Sequence, residues 1–236
     1  MKNYSDKFKR VFCPLDYHPE WVKSRALFIL NYLYKKLGAQ YTGEAGQFLK
    51  GKTVLELGAH RGGLGANLSQ YGASVTAAEG REDNCRLGKL YHPQAQWCQA
   101  DLDVEEWIFD DHYDIIIHQG LLYHLQNPDF FLVESQKRCS TFFLETQVID
   151  SSLEAVHLST PPSVFTPKGE LSHDSGLNAE ARISVKYIED RLKNFVRHDI
   201  PKLNGGGHFY DWPEKNDNTY QPAAHRRHRR FWTCDL

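Results

Sequence analysis

The segment Val54-Leu55-Glu56-Leu57-Gly58-Ala59-His60-Arg61-Gly62-Gly63-Leu64-Gly65 constrains the fold more than any other part of the chain. The apolar run Thr53–Leu57 reads as a short buried strand, and residues 64–71 read as a helix. Between them the glycines at 58, 62, 63 and 65 mark a tight turn. A strand feeding a glycine-rich turn and then a helix is the opening unit of an open α/β sheet. It sets backbone N–H groups at the carboxyl edge of the strand, where such sheets bind ligands.

The alternation continues downstream. Ser74–Glu79, Gln96–Gln99, residues 113–118 and residues 141–145 read as further strands, with helices over residues 82–90 and 130–138. The run Tyr113-Asp114-Ile115-Ile116-Ile117-His118 suits a strand covered on both faces, as in a parallel sheet. Upstream, Trp21, Ala26, Leu27, Ile29, Leu30, Leu33 and Leu37 give one apolar helical face, stopped at Gly38. Downstream, residues 185–194 read as a helix capped by Ser184. Strands over residues 195–200 and 230–234 then read as an antiparallel hairpin on the sheet edge. Residues 151–176, with Pro161, Pro162 and Pro167, read as an insertion. The expected organisation is a single domain over residues 1–236. Within it lie an N-terminal helical segment (1–50), substrate-side insertion loops (151–184) and a lid loop (204–224).

Composition narrows the function. With 236 residues, 41% of them apolar and 13% aromatic, the chain can bury a full core. A net charge of −2 excludes a globally basic nucleic-acid binder. The cysteines at 13, 85, 98, 139 and 234 are odd in number and form no C-x-x-C, which points to a reducing compartment, the cytoplasm. No apolar run approaches the roughly 20 residues that cross a bilayer, so no membrane association is expected. The first six residues have no apolar core behind them, so no signal peptide is expected.

Spacing decides what the glycine turn suits. A phosphate-binding loop needs G-x-x-x-x-G-K-[ST], and no lysine follows these glycines. A dinucleotide fingerprint needs G-x-G-x-x-G, but position 68 is Leu68 and position 60 is His60. What fits is an acid, then Gly-x-x-x-Gly: Glu56, Gly58 and Gly62. That turn suits a cofactor carrying an amino-acid moiety in place of a pyrophosphate. Glu79, closing the second strand, is placed to accept ribose hydroxyls. Asp101, after the third, is placed to accept an adenine amine. No metal-ligand spacing is present.

By these motifs residues 53–147, and by strand pattern the chain to Leu236, resemble the class I S-adenosylmethionine-dependent methyltransferases. The resemblance implies an α/β fold, a single Rossmann-like seven-stranded sheet of order 3-2-1-4-5-7-6 with strand 7 antiparallel and helices on both faces. It implies S-adenosyl-L-methionine as cofactor and S-adenosyl-L-homocysteine as product. Gly58 and Gly62 would hold the methionine part, Glu79 the ribose and Asp101 the adenine. Glu56, Ala59, His60, Gly80, Leu102, Gln119 and Gly120 would complete the cofactor contacts. The fourth strand ends His118-Gln119-Gly120 where the family often has Asp or Asn. This departure disfavours the amino-methylating enzymes with an Asn/Asp-Pro-Pro-Tyr signature.

The loop after that strand supplies the candidate catalytic pair, Tyr123 and His124. A histidine there is suited to take a proton from an oxygen or nitrogen nucleophile, or to anchor the loop. Tyr123-His124, the segment Leu144-Glu145-Thr146-Gln147-Val148-Ile149-Asp150 and Pro162-Ser163-Val164 are similar to enzymes that carboxymethylate a tRNA wobble uridine. The basic run His225-Arg226-Arg227-His228-Arg229-Arg230 reads as a solvated face, or, if functional, as a sign of an anionic acceptor. The expectation is a methyltransferase acting on a small molecule or an RNA. Carboxymethyl transfer and a non-catalytic adenosyl-binding module are the alternatives.

Overall fold

The computed structural model describes residues 19–37, 45–125, 127–149, 156–159, 180–198 and 229–236. They fall into two compact units, one up to Gln99 and one from Ala100 on.

In the first unit α1 (Pro19–Leu37) buries Val22, Ala26, Ile29, Leu30 and Leu33, the three- and four-residue spacing of one helical face. β1 (Thr53–Leu57) leads through the glycine turn to α2 (Gly63–Ser69), then β2 (Ser74–Glu79), α3 (Glu82–Tyr91) and β3 (Gln96–Gln99). β2 lies between β1 and β3, parallel to both. α2 is shorter than its apolar pattern suggests. The chain tightens as Tyr71 N donates to Leu68 O and Gly72 N to Ser69 O, and Gly72 then adopts φ +96°. A Cβ at Gly72 would lie 3.0 Å from the backbone nitrogen of Lys50, so the chain passes there only as glycine.

The second unit contains β4 (Tyr113–Gln119), α4 (Pro128–Lys137), β5 (Cys139–Ile149), β6 (Val156–Ser159), β7 (Glu180–Ser184), α5 (Val185–Glu189), β8 (Phe195–His198) and β9 (Arg229–Asp235). β4 and β5 are parallel, β9 runs antiparallel beside β5, and β8 is antiparallel on β9. Counted as the sequence counts them, the strands run 3-2-1 within the first unit and 4-5-7-6 within the second. Strand 7 is the antiparallel one, as expected.

Four more elements differ from expectation for physical reasons. β5 extends to Ile149 because its last residues pair with β7, with Val148 opposite Ile183. β7 in turn pairs antiparallel with β6, a strand within the stretch read as an insertion. α5 keeps its Ser184 cap, whose Oγ accepts from Tyr187 N at 3.1 Å, but it stops at Glu189. The side-chain amide of Gln136 on α4 donates to Arg191 O (3.0 Å) and accepts from Lys193 N (2.8 Å). This clamps the backbone into a turn, which Asn194 completes at φ +46°. No helix among the described residues is long and apolar enough to cross a membrane.

Candidate functional site

In the first unit the glycine turn is built by local backbone geometry. Gly58 (φ +69°), His60 (φ +52°) and Gly62 (φ +78°) all lie in the left-handed region. Ala59 N donates to Ala78 O at 2.9 Å and Gly62 N to Ala59 O at 2.8 Å, stapling the turn to β2 and to itself. Glu56, buried on β1, reaches across the turn and accepts from Gly65 N at 2.8 Å. A Cβ at Gly65 would lie 2.5 Å from that Glu56 oxygen, so the carboxylate and the glycine require each other. Glu56 therefore orders the turn from within.

Glu79 closes β2 and is 8% exposed. Its Oε2 accepts from His60 N at 2.8 Å; its Oε1 accepts from Arg81 N at 3.1 Å and from the Asn84 side-chain amide at 3.3 Å. The carboxylate thus ties the turn to the start of α3. A carboxylate offers about four acceptor positions. Oε1 fills two and Oε2 one, so one position remains on Oε2, enough for a single hydroxyl. Beside it the Cys85 thiol donates to Glu79 O at 3.4 Å, and burial pushes its pKa up to about 11, so it stays neutral.

Trp97 on β3 is a structural residue that spacing did not flag. Its ring fills the space against two glycines: a Cβ at Gly62 would come within 2.3 Å of it and one at Gly88 within 2.1 Å. The indole N–H donates to His92 O at 3.2 Å. The nearest sequence signal is a tryptophan on a strand flanked by a glycine-rich turn and a helix carrying Gly88.

In the second unit Asp101 is half-buried and its Oδ1 accepts from Asp103 N at 2.9 Å, a local turn that leaves Oδ2 as an acceptor; Leu102 is buried beside it. Asp103 accepts from Asn127 N at 3.1 Å, tying this turn to the start of α4. At the end of β4, Gly120 (φ +69°) donates its N–H to Glu145 O at 2.9 Å. The 3₁₀ turn Leu122–His124 follows. Tyr123 is buried and His124 half-buried, with ring centroids 4.2 Å apart.

His118 and Gln119 are both buried, and no side-chain nitrogen or oxygen of either has a hydrogen-bond partner. Burial alone pulls the His118 imidazole down to about 4, so it is an uncharged core ring, edge-on to Phe142. An unsatisfied buried amide such as that of Gln119 costs roughly 1–3 kcal/mol per group.

In the basic run, Arg229 and Arg230 belong to β9, and the Arg230 side chain is buried, not solvated. Residues 225–228, the lid loop 204–224 and Pro162-Ser163-Val164 lie outside the described residues.

No family model matches the chain, and no curated protein matches it. Solved structures do. The N-terminal domain of EvdMO1 with S-adenosylhomocysteine bound superposes with a TM-score of 0.52 at 19% identity, over 75% of this chain and 73% of that one. The same domain in the presence of S-adenosylhomocysteine and D-fucose gives 0.51 at 19% identity, over 70% of each chain. A TehB-like S-adenosylmethionine-dependent methyltransferase from Corynebacterium glutamicum is also similar, at 18% identity and a TM-score of 0.37, over 52% of this chain and 72% of that one. The fold is the Rossmann-like methyltransferase fold.

Proposed function

We propose that this chain, as a single domain in the cytoplasm, transfers a methyl group from S-adenosylmethionine to an oxygen or nitrogen nucleophile of a small-molecule acceptor. The observation that carries the reading is Glu79. A buried carboxylate ends β2, is bonded to the glycine turn through His60 N, and keeps one acceptor position. That acceptor fits a hydroxyl of an adenosyl ribose, and its negative charge repels a pyrophosphate. The likeness to a domain holding S-adenosylhomocysteine supports the same cofactor, and a structure of that domain in the presence of S-adenosylhomocysteine and D-fucose is consistent with a small polar acceptor.

In this reading Gly58, Ala59, His60 and Gly62 lie against the methionine part, Glu79 and Gly80 bind the ribose, and Asp101 and Leu102 the adenine. Glu56 acts through the backbone it holds. When bound, the cofactor supplies a sulfonium methyl with a good leaving group, so the protein chiefly positions the nucleophile and excludes water. His124 takes the proton released by the acceptor, and Tyr123, packed on its ring, orients it.

The test is single-turnover release of S-adenosylhomocysteine from cofactor-loaded protein with small hydroxyl and amine acceptors, run in parallel with carboxy-S-adenosylmethionine and tRNA. Turnover with a small acceptor and the plain cofactor is expected. Turnover only with the carboxylated cofactor and tRNA would move the chain to carboxymethyl transfer. Cofactor binding without turnover in any arm would make it a binding module.

A further inference from the structure

His118 and Gln119 end the same strand with polar side chains that no partner satisfies, yet they are not equivalent. Strand alternation sends them to opposite faces. The imidazole of His118, against Phe142, is neutral and fills core space. The amide of Gln119 has no apolar form: it always presents two N–H donors and a carbonyl acceptor. The residue is 7% exposed, and both terminal atoms lie buried and unbonded. Register places Glu145, fully buried, beside Gln119 on the same face of the sheet. Gly120, next in the chain, is held to the Glu145 carbonyl and turns the backbone into the segment carrying Tyr123 and His124.

We propose that the Gln119 amide is the specificity-determining contact for the acceptor, and that it selects a neutral hydroxyl-bearing molecule, a polyol or sugar, over a carboxylate or phosphate. A hydroxyl group donates and accepts at once, so it satisfies the amide N–H and the amide carbonyl together. A carboxylate or phosphate satisfies only the N–H groups and sets its oxygens against the amide carbonyl. An ammonium satisfies only the carbonyl. This deepens the methyl-transfer reading and rests on it. It assigns Gln119 to the acceptor where the sequence resemblance assigned it to the cofactor, and it removes the anionic acceptor suggested by the basic run.

The experiment uses Gln119→Met, which keeps length and volume and removes both polar groups. Three readouts are taken: melting temperature without ligand, S-adenosylhomocysteine affinity, and saturation-transfer NMR on the S-adenosylhomocysteine-loaded protein. The NMR panel is D-galactose, D-glucose and myo-inositol against D-galacturonate and D-glucuronate. Expected for the wild type are binding of a neutral member in preference to the acids, and movement of the Gln119 side-chain amide resonances on adding the sugar but not on adding S-adenosylhomocysteine alone. Expected for Gln119→Met are an unliganded melting temperature equal to or above wild type and unchanged S-adenosylhomocysteine affinity. Its affinity for the neutral sugar should fall by roughly ten-fold or more, the scale of one lost hydrogen-bonding group.

Any of four results would overturn the proposal: a lower melting temperature, a matching loss of S-adenosylhomocysteine affinity, acids bound as well as neutral sugars, or no neutral member bound. Failure of the wild type to bind S-adenosylhomocysteine, measured first, would remove the methyl-transfer reading itself and this proposal with it.

Discussion

Replacing Glu79 with alanine should destabilise the protein before any ligand is considered. The substitution strands the N–H groups of His60 and Arg81 and the Asn84 amide, all now bonded to one carboxylate that is 8% exposed. Hydrogen bonds to a charged group contribute roughly 1.5–3 kcal/mol each, and three that share an acceptor sum to less than three times that, about 4 kcal/mol in total. For a chain of this size that is a fall in melting temperature of roughly 8–16 °C. Glu79→Gln should fall by less. It keeps one acceptor oxygen for Arg81 and Asn84, but sets an NH₂ against the His60 N–H. Asn84→Ala, which loses a single bond at 3.3 Å, should cost only about 1 kcal/mol. Thermal denaturation without ligand, monitored by far-ultraviolet circular dichroism, ranks the three. If Glu79→Ala melts within about 2 °C of wild type, the carboxylate does not hold the turn, and the reasoning from its hydrogen bonds fails.

Other substitutions probe other parts of the account. Burial holds His118 at about 4 against 6.5 for the unperturbed group, so the unfolded chain takes up this proton first as pH falls. The stability concerned is present in full above about pH 6.5 and is lost toward about pH 4, by about 3 kcal/mol. Urea denaturation of His118→Phe at stepped pH should lack that loss, and identical pH profiles for the two proteins would contradict it. Gly62→Ala places a methyl 2.3 Å from the Trp97 ring at a φ of +78° and should cost roughly 2–4 kcal/mol in chemical denaturation. Part of that should return in the double variant with Trp97→Leu, and full additivity would show that the ring is not the obstacle. His124→Gln should leave S-adenosylhomocysteine binding intact and slow single-turnover transfer by roughly 10²–10⁴-fold, the range for a lost general base. An unchanged rate would remove it from the chemistry.

What was legible in the sequence follows from how local each feature is. β1, β2, β3 and α3 matched their apolar patterns because each pattern meets its partner within the first unit. Glu79 was legible as a strand-end acid, but its hydrogen bonds were not. The one from the glycine turn involves His60 in a left-handed conformation, and a histidine between glycines carries no compositional sign of that. β6 and β7 were missed because neither has a strong apolar alternation. They exist through pairing with each other and with the far end of β5. The length of α5 was overestimated because its end is set by Gln136, more than fifty positions away in sequence. Gln119 was named from position alone. That its amide is buried without a partner is visible only in three dimensions.

The central claim is that the glycine turn and Glu79 bind the adenosyl cofactor. Titration of ¹⁵N-labelled protein with S-adenosylhomocysteine, with the heat of binding measured in parallel, tests it most directly. Saturable one-site binding is expected, with the amide resonances of Gly58, His60, Gly62 and Gly80 moving furthest in the first unit and with a ligand-dependent rise in melting temperature. No heat and no shift at these four amides, or shifts confined to other residues, would contradict it.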